Sequence, residues 1–216
     1  MAVVRELTID VPAPNDGARR TNTVRWILDN GVLETTGRKL VDLGAGPCVF
    51  AKIARDRGYD VLAVDGRTER LPDDAALHGI RFVQADVRDF DPAGHDIILM
   101  LGLLYHFDID DQLSVLKKCT GGAKVVVDTQ VHVPELVALR TADGWEDRPI
   151  SRQGYEGVEF PEGDNPMASI GNSKSFWHTE ASTLKLFSDA GFTGITVVNP
   201  IFQSKYGGRR FYILES

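Results

Sequence analysis

Three aspartates stand at the ends of apolar runs, where they could contact one ligand together. Asp42 lies just before a Gly-Ala-Gly turn at 44–46, Asp65 lies 21 positions after Gly44, and Asp86 follows a third apolar run. A carboxylate at Asp65 can accept hydrogen bonds from both hydroxyls of a ribose. Asp86 could accept one from an adenine amino group, and Asp42 could hold a cationic group. The spacing predicts a cofactor that contains a nucleoside.

Two classes of cofactor compete for the glycine turn. A dinucleotide needs the pattern Gly-x-Gly-x-x-Gly, so that the helix N-terminus can approach the pyrophosphate. Val49 stands at the third glycine position, and Pro47 removes one backbone donor. S-adenosylmethionine has no phosphate, and its ammonium and sulfonium groups favour nearby carboxylates. The aspartates therefore favour S-adenosylmethionine.

Five histidines are candidates for a general base, because histidine titrates in the useful range. Chemistry is expected at the C-terminal ends of the strands, so His106 and His132, which follow two predicted strands, are the catalytic candidates. Each could equally be a structural residue. His78 and His95 lie at the other end of the strands, and His178 adjoins the start of the last helix.

Acids and aromatic residues suggest two further roles. Asp128, at a strand end, and Glu156 could hold Mg²⁺ through carboxylate oxygens, although no local spacing resembles a defined metal motif and solvated acids are the preferred interpretation. Trp145, Tyr155 and Trp177, with His178 next to Trp177, could pack against the face of a substrate such as a sugar. The same rings could instead form a small core of their own.

Apolar runs that alternate with helical patterns predict an α/β fold. Near-continuous apolar strands are typical of a parallel sheet that is covered on both faces, and right-handed crossovers make it doubly wound. We expect a Rossmann-like sheet of seven mostly parallel strands that ends in a C-terminal antiparallel hairpin. The predicted strands are 40–43, 61–64, 81–85, 96–101, 124–129, 194–199 and 210–214, with helices at 18–30, after the glycine turn, at 109–118 and at 179–190.

The regular pattern is interrupted at 131–178, a segment too long for a plain connection in a compact domain. Its aromatic content favours an ordered substrate-binding insertion or lid over a disordered one. The 216 residues suit one core, so we expect a single domain over 1–216.

Composition narrows the class of protein. A formal net charge of −7 argues against a broad nucleic-acid or anionic-membrane surface. Two isolated cysteines, Cys48 and Cys119, make no disulfide framework, and no apolar run approaches the length of a membrane span. The sequence predicts a cytoplasmic protein, and the aromatic residues of the insertion suggest a homodimer.

From about residue 18 onward the chain resembles the class I S-adenosylmethionine-dependent methyltransferases. Residues 41–46 (Val-Asp-Leu-Gly-Ala-Gly) match the first motif of that family, while Asp65 and residues 85–87 (Ala-Asp-Val) fit its ribose and adenine positions. The closing hairpin matches the reversed final strand of the family. The resemblance implies that the cofactor lies across the C-terminal strand ends. It also implies that the following residues bind it: Asp42, Gly44, Gly46, Asp65, Asp86, Val87, Leu101 and Gly102.

Two branches of the family are similar in finer detail. Residues 100–106 and 127–129 resemble the branch with tRNA wobble-uridine carboxymethyltransferases, and 168–177 resembles actinobacterial sugar O-methyltransferases. We expect an O-methyltransferase of a small hydroxylated acceptor, preferably a saccharide. The alternatives are a tRNA-modifying enzyme, a methyltransferase of another natural product, and a module that binds the cofactor without catalysis. An RNA substrate would require a contiguous basic surface around Arg19, Arg20, Arg209 and Arg210.

Overall fold

The computed structural model describes residues 2–35, 37–73, 77–136, 148–162 and 170–216. A 3₁₀ turn spans Leu104–His106. No helix among the described residues is long and apolar enough to cross a membrane. The strands are β1 (Val3–Thr8), β2 (Lys39–Leu43), β3 (Asp60–Asp65), β4 (Ile80–Gln84), β5 (Ile97–Leu101), β6 (Lys124–Val131), β7 (Ile150–Arg152), β8 (Tyr155–Pro161), β9 (Lys174–His178), β10 (Gly194–Ser204) and β11 (Gly207–Glu215). The helices are α1 (Asp16–Asp29), α2 (Val49–Arg55), α3 (Ile109–Lys118) and α4 (Glu180–Ala190).

The main sheet has the order β1-β10-β11-β6-β5-β2-β3-β4. Strands β2 to β6 are parallel to one another, and β11 is antiparallel to both β6 and β10. The predicted α/β class, the doubly wound parallel sheet and the C-terminal antiparallel hairpin are confirmed.

The sheet has eight strands rather than the seven predicted. The additional strand is β1, which pairs in parallel with β10 from Val3 opposite Gly194 to Thr8 opposite Asn199. Its side chains are almost all exposed. An edge strand of this kind is held by backbone hydrogen bonds, so it lacks the apolar pattern that identified the buried strands.

The helices begin and end at residues suited to those positions. Thr179 caps α4 by accepting a hydrogen bond from the Ser182 backbone, and Gly191 ends that helix with φ 112°. Asn15 and Asp108 cap α1 and α3 in the same way, through side-chain oxygens.

Alternate residues of the strands face two separate layers of the core. Leu40, Val61 and Ile97 belong to the layer under α1 and α2. Their chain neighbours Val41 and Ile98 belong to the layer under α3 and α4. Both faces of the sheet are therefore buried at its centre, which explains why β3 and β5 are mostly apolar.

The chain reverses direction across the sheet between β2 and β5. From β2 the sheet continues through β3 and β4 on one side, and from β5 through β6 on the other. Such a reversal opens a crevice at the C-terminal ends of the two central strands. The glycine turn follows β2 and Gly102 follows β5, so both lie at this crevice.

A second sheet forms within the predicted insertion. Strands β7, β8 and β9 are antiparallel, and β9 leads into α4. This sheet is attached at the C-terminal end of the main sheet: the Phe176 backbone donates to Phe107 O, and the His132 backbone donates to His178 O. The described part of the insertion is therefore an ordered element beside the crevice.

Candidate active site

The glycine turn after β2 is fixed against the neighbouring strand β3. The backbone amides of Gly44 and Ala45 both donate to Val64 O, at 2.8 and 3.1 Å. Gly44 and Gly46 have φ values of 72° and 49°, which favour glycine. A Cβ atom at Gly44 would also come within 2.9 Å of the Leu103 side chain. The turn therefore needs glycine for its backbone geometry and for the space that it leaves.

Asp65 lies at the end of β3, against the glycine turn. Its Oδ2 accepts from the Gly46 amide at 2.8 Å, and its Oδ1 accepts from the Arg67 amide at 2.9 Å. Each carboxylate oxygen has more than one acceptor position. Asp65 can therefore hold the turn and still accept hydrogen bonds from a ligand in the cleft.

Asp86 also reaches the cleft, but Arg88 contacts its carboxylate. The Arg88 guanidinium donates to both oxygens of Asp86, with the shortest distance 2.6 Å, and also donates to Asp111. The hydrogen bonds from Arg88 outweigh partial burial and hold the pKa of Asp86 below its usual value. Asp86 is therefore a carboxylate at neutral pH.

Asp42 is buried beneath the turn and lines no part of the cleft. Its Oδ2 accepts from the Ala51 amide in α2, at 3.1 Å. Burial raises the pKa of Asp42 to about 7, against the opposing hydrogen bond from Ala51. Asp42 therefore links β2 to α2 and lies outside the cleft, whereas the sequence predicted that it contacts the cofactor.

Two adjoining pockets make up the cleft. The first, called here the glycine-turn pocket, has among its lining residues Gly44, Gly46, Asp65, Gly66, Asp86, Val87 and Gly102. The second, called here the aromatic pocket, has a volume of about 1100 Å³ and extends from Leu101 and Gly102 toward β8, β9 and the turn between β10 and β11. His106 belongs to both pockets.

A buried ion cluster lies where the two pockets meet. The carboxylate of Asp128, fully buried in β6, accepts from Arg20 Nε at 2.6 Å and from Arg209 Nε at 2.6 Å. Burial raises the pKa of Asp128, but the two guanidinium groups outweigh it and keep that pKa below its usual value. Both arginines also line the aromatic pocket, so the cluster presents positive charge to the cleft.

The predicted metal ligands do not come together. Both oxygens of Asp128 are occupied by arginines, and Glu156 is exposed on β8. The described residues contain no group of three or more His, Cys, Asp or Glu side chains that could hold a metal ion. The expectation of a magnesium site at Asp128 and Glu156 has no support here.

His106 lies at the junction of the two pockets and contacts a buried acid. Its Nδ1 is 2.9 Å from Glu162 Oε1. The side chain of His106 is 15% exposed and that of Glu162 only 1%. Because a carboxylate only accepts hydrogen bonds, this contact places a proton on Nδ1 and leaves Nε2 as the basic nitrogen.

His132 lines a different cavity from His106. That cavity, of about 10 Å³, is also lined by Val133, Leu136, Trp177 and Tyr206, and His132 lines neither pocket of the cleft. Of the two predicted catalytic histidines, the structure brings only His106 to the cleft.

The predicted substrate residues separate into three groups. Trp177 lines the aromatic pocket, whereas Trp145 lies outside the described residues.

Tyr155 is buried with its hydroxyl donating to Asp189 at 2.6 Å, so it packs the insertion against α4. His178 is also internal: it contacts Ser182 and Gln112 at 2.9 and 2.7 Å, and burial lowers its pKa to about 3. Tyr155 and His178 are therefore core residues that line neither pocket of the cleft.

Aromatic rings from distant segments form the walls of the aromatic pocket. Phe160 and Trp177 stack with centroids 4.3 Å apart, and the Trp177 indole donates to Tyr105 O at 2.9 Å. Tyr105 and Tyr206 meet Trp177 edge-on at 5.9 and 6.2 Å. Of these four rings, only Trp177 was predicted from the sequence as a substrate-binding residue.

Several residues of the cleft were missed from the sequence. Glu162 belongs to the predicted insertion, but nothing in its neighbours marks it. Arg20 and Arg209 were noticed only as parts of basic clusters. Arg209 and Arg210 are buried, and Arg210 Nε lies 3.0 Å from Glu180. They therefore do not form the basic surface that an RNA substrate would require.

The chain matches known proteins in its sequence and its fold. Residues 41–124 match the family model described as a methyltransferase domain. The match covers 84 of the 216 residues. A comparison with curated proteins finds no match.

Solved structures are similar in fold over most of the chain. The N-terminal domain of EvdMO1 with S-adenosylhomocysteine (SAH) bound is 21% identical, with a TM-score of 0.65 over 91% of this chain and 81% of that one. A structure of that domain in the presence of SAH and D-fucose gives 20% identity and a TM-score of 0.67, over 91% and 82% of the chains. For the Burkholderia thailandensis 1,6-didemethyltoxoflavin-N1-methyltransferase the values are 17% and 0.60, over 91% and 78%. At such identities the likeness concerns the fold.

The segment that matches the family model covers the glycine-turn pocket more fully than the aromatic pocket. It contains all the residues named above for the glycine-turn pocket, together with Tyr105 and His106. It excludes Arg20, Glu162, Trp177 and Arg209, which line the aromatic pocket.

Proposed function

We propose that the protein is an S-adenosylmethionine-dependent O-methyltransferase that modifies a hydroxyl group of a small saccharide. The observation that carries the proposal is the contact between His106 and Glu162 at the junction of the two pockets. It gives the cleft a basic nitrogen between the site expected for the cofactor and a cavity walled by aromatic rings.

The residues of the glycine-turn pocket fit S-adenosylmethionine. The two glycines leave room for close approach, Asp65 can accept from a ribose, and Asp86 with Val87 stands at the adenine position. When bound, S-adenosylmethionine supplies a methyl group that its sulfonium already activates. The chain then has to hold the cofactor, position the acceptor, exclude water and take up a proton.

Arg20 and Arg209 complete the fit at the methionine end. A Cβ atom at Gly102 would come within 2.6 Å of one Arg20 nitrogen and within 2.9 Å of one Arg209 nitrogen. Arg20 also donates to Leu101 O at 3.2 Å. The absence of a side chain at Gly102 thus leaves both cations beside the pocket, where Arg20 can bind the carboxylate of the cofactor.

His106 is the general base of the proposal. The buried carboxylate of Glu162 fixes the ring through Nδ1 and stabilises the imidazolium that forms when Nε2 takes the acceptor proton. His132 has no access to the cleft, so it is not part of the proposed machinery.

The aromatic pocket supports a saccharide acceptor. Phe160, Trp177 and Tyr206 offer apolar faces, while Gln130, Glu162 and Lys205 offer polar groups at the edges. A sugar ring has the same combination of apolar faces and hydrogen-bonding edges. The similar fold of EvdMO1, solved in the presence of D-fucose, is a further reason to test sugars first.

Two measurements test the proposal. Calorimetry should detect binding of SAH and no binding of NAD⁺; the reverse result would reject the cofactor. A panel of methyl glycosides is then incubated with S-adenosylmethionine labelled in its methyl group, and the product is analysed by mass spectrometry. An ether-linked methyl group on a sugar is expected. Transfer to a nitrogen or to an RNA transcript, with none to sugars, would reject the acceptor class.

A further inference from the structure

One carboxylate oxygen of Glu162 has no hydrogen-bond partner in the described part of the chain. Oε1 accepts from His106, whereas Oε2 is buried and unpaired. A carboxylate oxygen that loses water without gaining a donor costs free energy. An unpaired oxygen of this kind, on a residue that lines the cleft, indicates that a ligand supplies the donor.

The surroundings of Glu162 narrow the chemistry of that donor. The same pocket is lined by Arg20, Lys205 and Arg209. Arg70 also lines this pocket, and these four cationic side chains carry one more charge than Asp16, Glu162 and the buried Asp128 neutralise. A cationic donor such as an ammonium group is therefore disfavoured, and a neutral hydroxyl is favoured.

The position of His106 indicates where this hydroxyl lies in the ligand. One oxygen of the Glu162 carboxylate contacts the proposed base, and the other is bonded to the same carbon. A donor that reaches Oε2 while another hydroxyl reaches His106 Nε2 must lie close to that hydroxyl. Hydroxyls on adjacent ring carbons meet this requirement, and Phe160 and Trp177 supply a face against which such a ring can pack.

We propose that Glu162 Oε2 accepts a hydrogen bond from a second hydroxyl of the acceptor, next to the hydroxyl that is methylated. Glu162 is then a specificity residue as well as the partner of His106, and the enzyme selects acceptors that carry a vicinal diol. The inference rests on the proposed function and adds to it the class of acceptor. An acceptor with a single hydroxyl leaves Oε2 unpaired and binds more weakly.

The test is a cycle of protein and ligand changes, with binding as its readout. The SAH complex is titrated with the methyl α-pyranosides of D-glucose, D-galactose and D-mannose and with their monodeoxy analogues, by calorimetry. Glu162→Gln keeps an oxygen for His106 Nδ1 but presents an amide donor in place of Oε2. Glu159→Gln is the matched control, because Glu159 lies in β8, three residues before Glu162, and pairs with Arg152 and Lys174 instead.

For the wild type we expect that removal of one particular hydroxyl weakens binding about tenfold, the usual scale for an unpaired buried polar group. Glu162→Gln should bind the parent sugar about tenfold more weakly than the wild type does. Its affinity should not fall further when the same hydroxyl is removed from the sugar. Glu159→Gln should behave as the wild type. Equal losses on deoxygenation in the wild type and Glu162→Gln, or no binding of any pyranoside by the wild type, would overturn the inference.

The same sugars separate this inference from the proposed function. They are incubated with labelled S-adenosylmethionine after the binding experiment. If binding depends on the diol and on Glu162 but no methyl group is transferred, the proposed reaction is rejected and the diol site is supported. If methyl groups are transferred equally well to the parent and to every monodeoxy sugar, the diol site is rejected and the reaction is supported.

Discussion

The glycine-turn pocket and the aromatic pocket share one cleft but are assembled differently. The first consists of residues at the ends of consecutive strands β2, β3, β4 and β5, each placed by a short local turn. The second shares the glycine turn, but its other walls come from α1, the start of α2, the 3₁₀ turn, β8, β9 and the turn before β11, which are far apart in the sequence. A local motif can predict the first arrangement, whereas the second exists only after the chain has folded.

The two pockets also differ in what holds their charged groups. The accessible acids at the glycine turn contact backbone amides or Arg88, and they remain partly exposed. At the aromatic pocket Asp128 and Glu162 are buried almost completely, and each depends on a cationic or basic side chain. Substitutions in the first pocket should therefore weaken ligand binding, while those in the second should affect catalysis or folding.

The largest effect is expected at His106. His106→Asn removes the basic nitrogen, so kcat should fall by roughly 10²–10⁴-fold, the usual contribution of a general base. The affinity for SAH, measured by calorimetry, should change little, because the proposed role of His106 concerns the acceptor proton. A variant that kept its kcat would show that the aromatic pocket contains no base at this position.

Asp128→Asn tests the buried ion cluster. The amide leaves Arg20 and Arg209 without a counter-charge, and breaking a buried ion pair typically costs about 3–5 kcal/mol. Urea denaturation should show a loss of this size in the free energy of unfolding. Asp111→Asn is the control, because its ion pair with Arg88 is partly exposed and worth less than about 1 kcal/mol. Equal losses in the two variants would mean that burial of the cluster is not decisive.

Asp42→Asn tests the buried acid beneath the glycine turn through the pH dependence of stability. Because burial raises the pKa of Asp42 to about 7, the folded state binds this proton more tightly than the unfolded state. The free energy of unfolding of the wild type should therefore fall as the pH rises from about 4 to about 7, by at most about 1.4 kcal/mol per pH unit. The variant lacks this dependence, so its stability relative to the wild type should rise over the same range. A constant difference between the two unfolding free energies would contradict the raised pKa.

The sequence predicts residues that are placed by local structure better than residues that are placed by contacts between distant segments. Asp65, Gly44 and Gly46 were found because an apolar strand, a tight turn and an acid at fixed spacing are local consequences of one strand-turn-helix unit. Glu162 could not be found, since its partner His106 lies 56 residues away. The roles of Tyr155 and His178 could not be judged for the same reason: an aromatic ring next to the cleft and one in the core behind it have the same sequence pattern.

Asp65→Ala probes the glycine-turn pocket itself. The loss of a carboxylate proposed to bind ribose hydroxyls should weaken SAH binding by about 1–3 kcal/mol, measured by calorimetry. Asp60→Ala, at the other end of β3 and exposed, is the control and should leave the affinity unchanged. Asp65→Asn keeps one oxygen for the Gly46 amide, so it should lose less than the alanine variant. Unchanged affinity in Asp65→Ala would reject the ribose role.

The smallest effect is expected at His132. Its backbone amide donates to His178 O, a contact that His132→Ala retains, and its side chain lies in the small cavity behind Trp177 and Tyr206. SAH affinity and kcat should therefore equal those of the wild type, in the same assays as for His106→Asn. A fall in kcat as large as that of His106→Asn would mean that the acceptor binds on the other side of Trp177. The aromatic pocket would then not be the acceptor site.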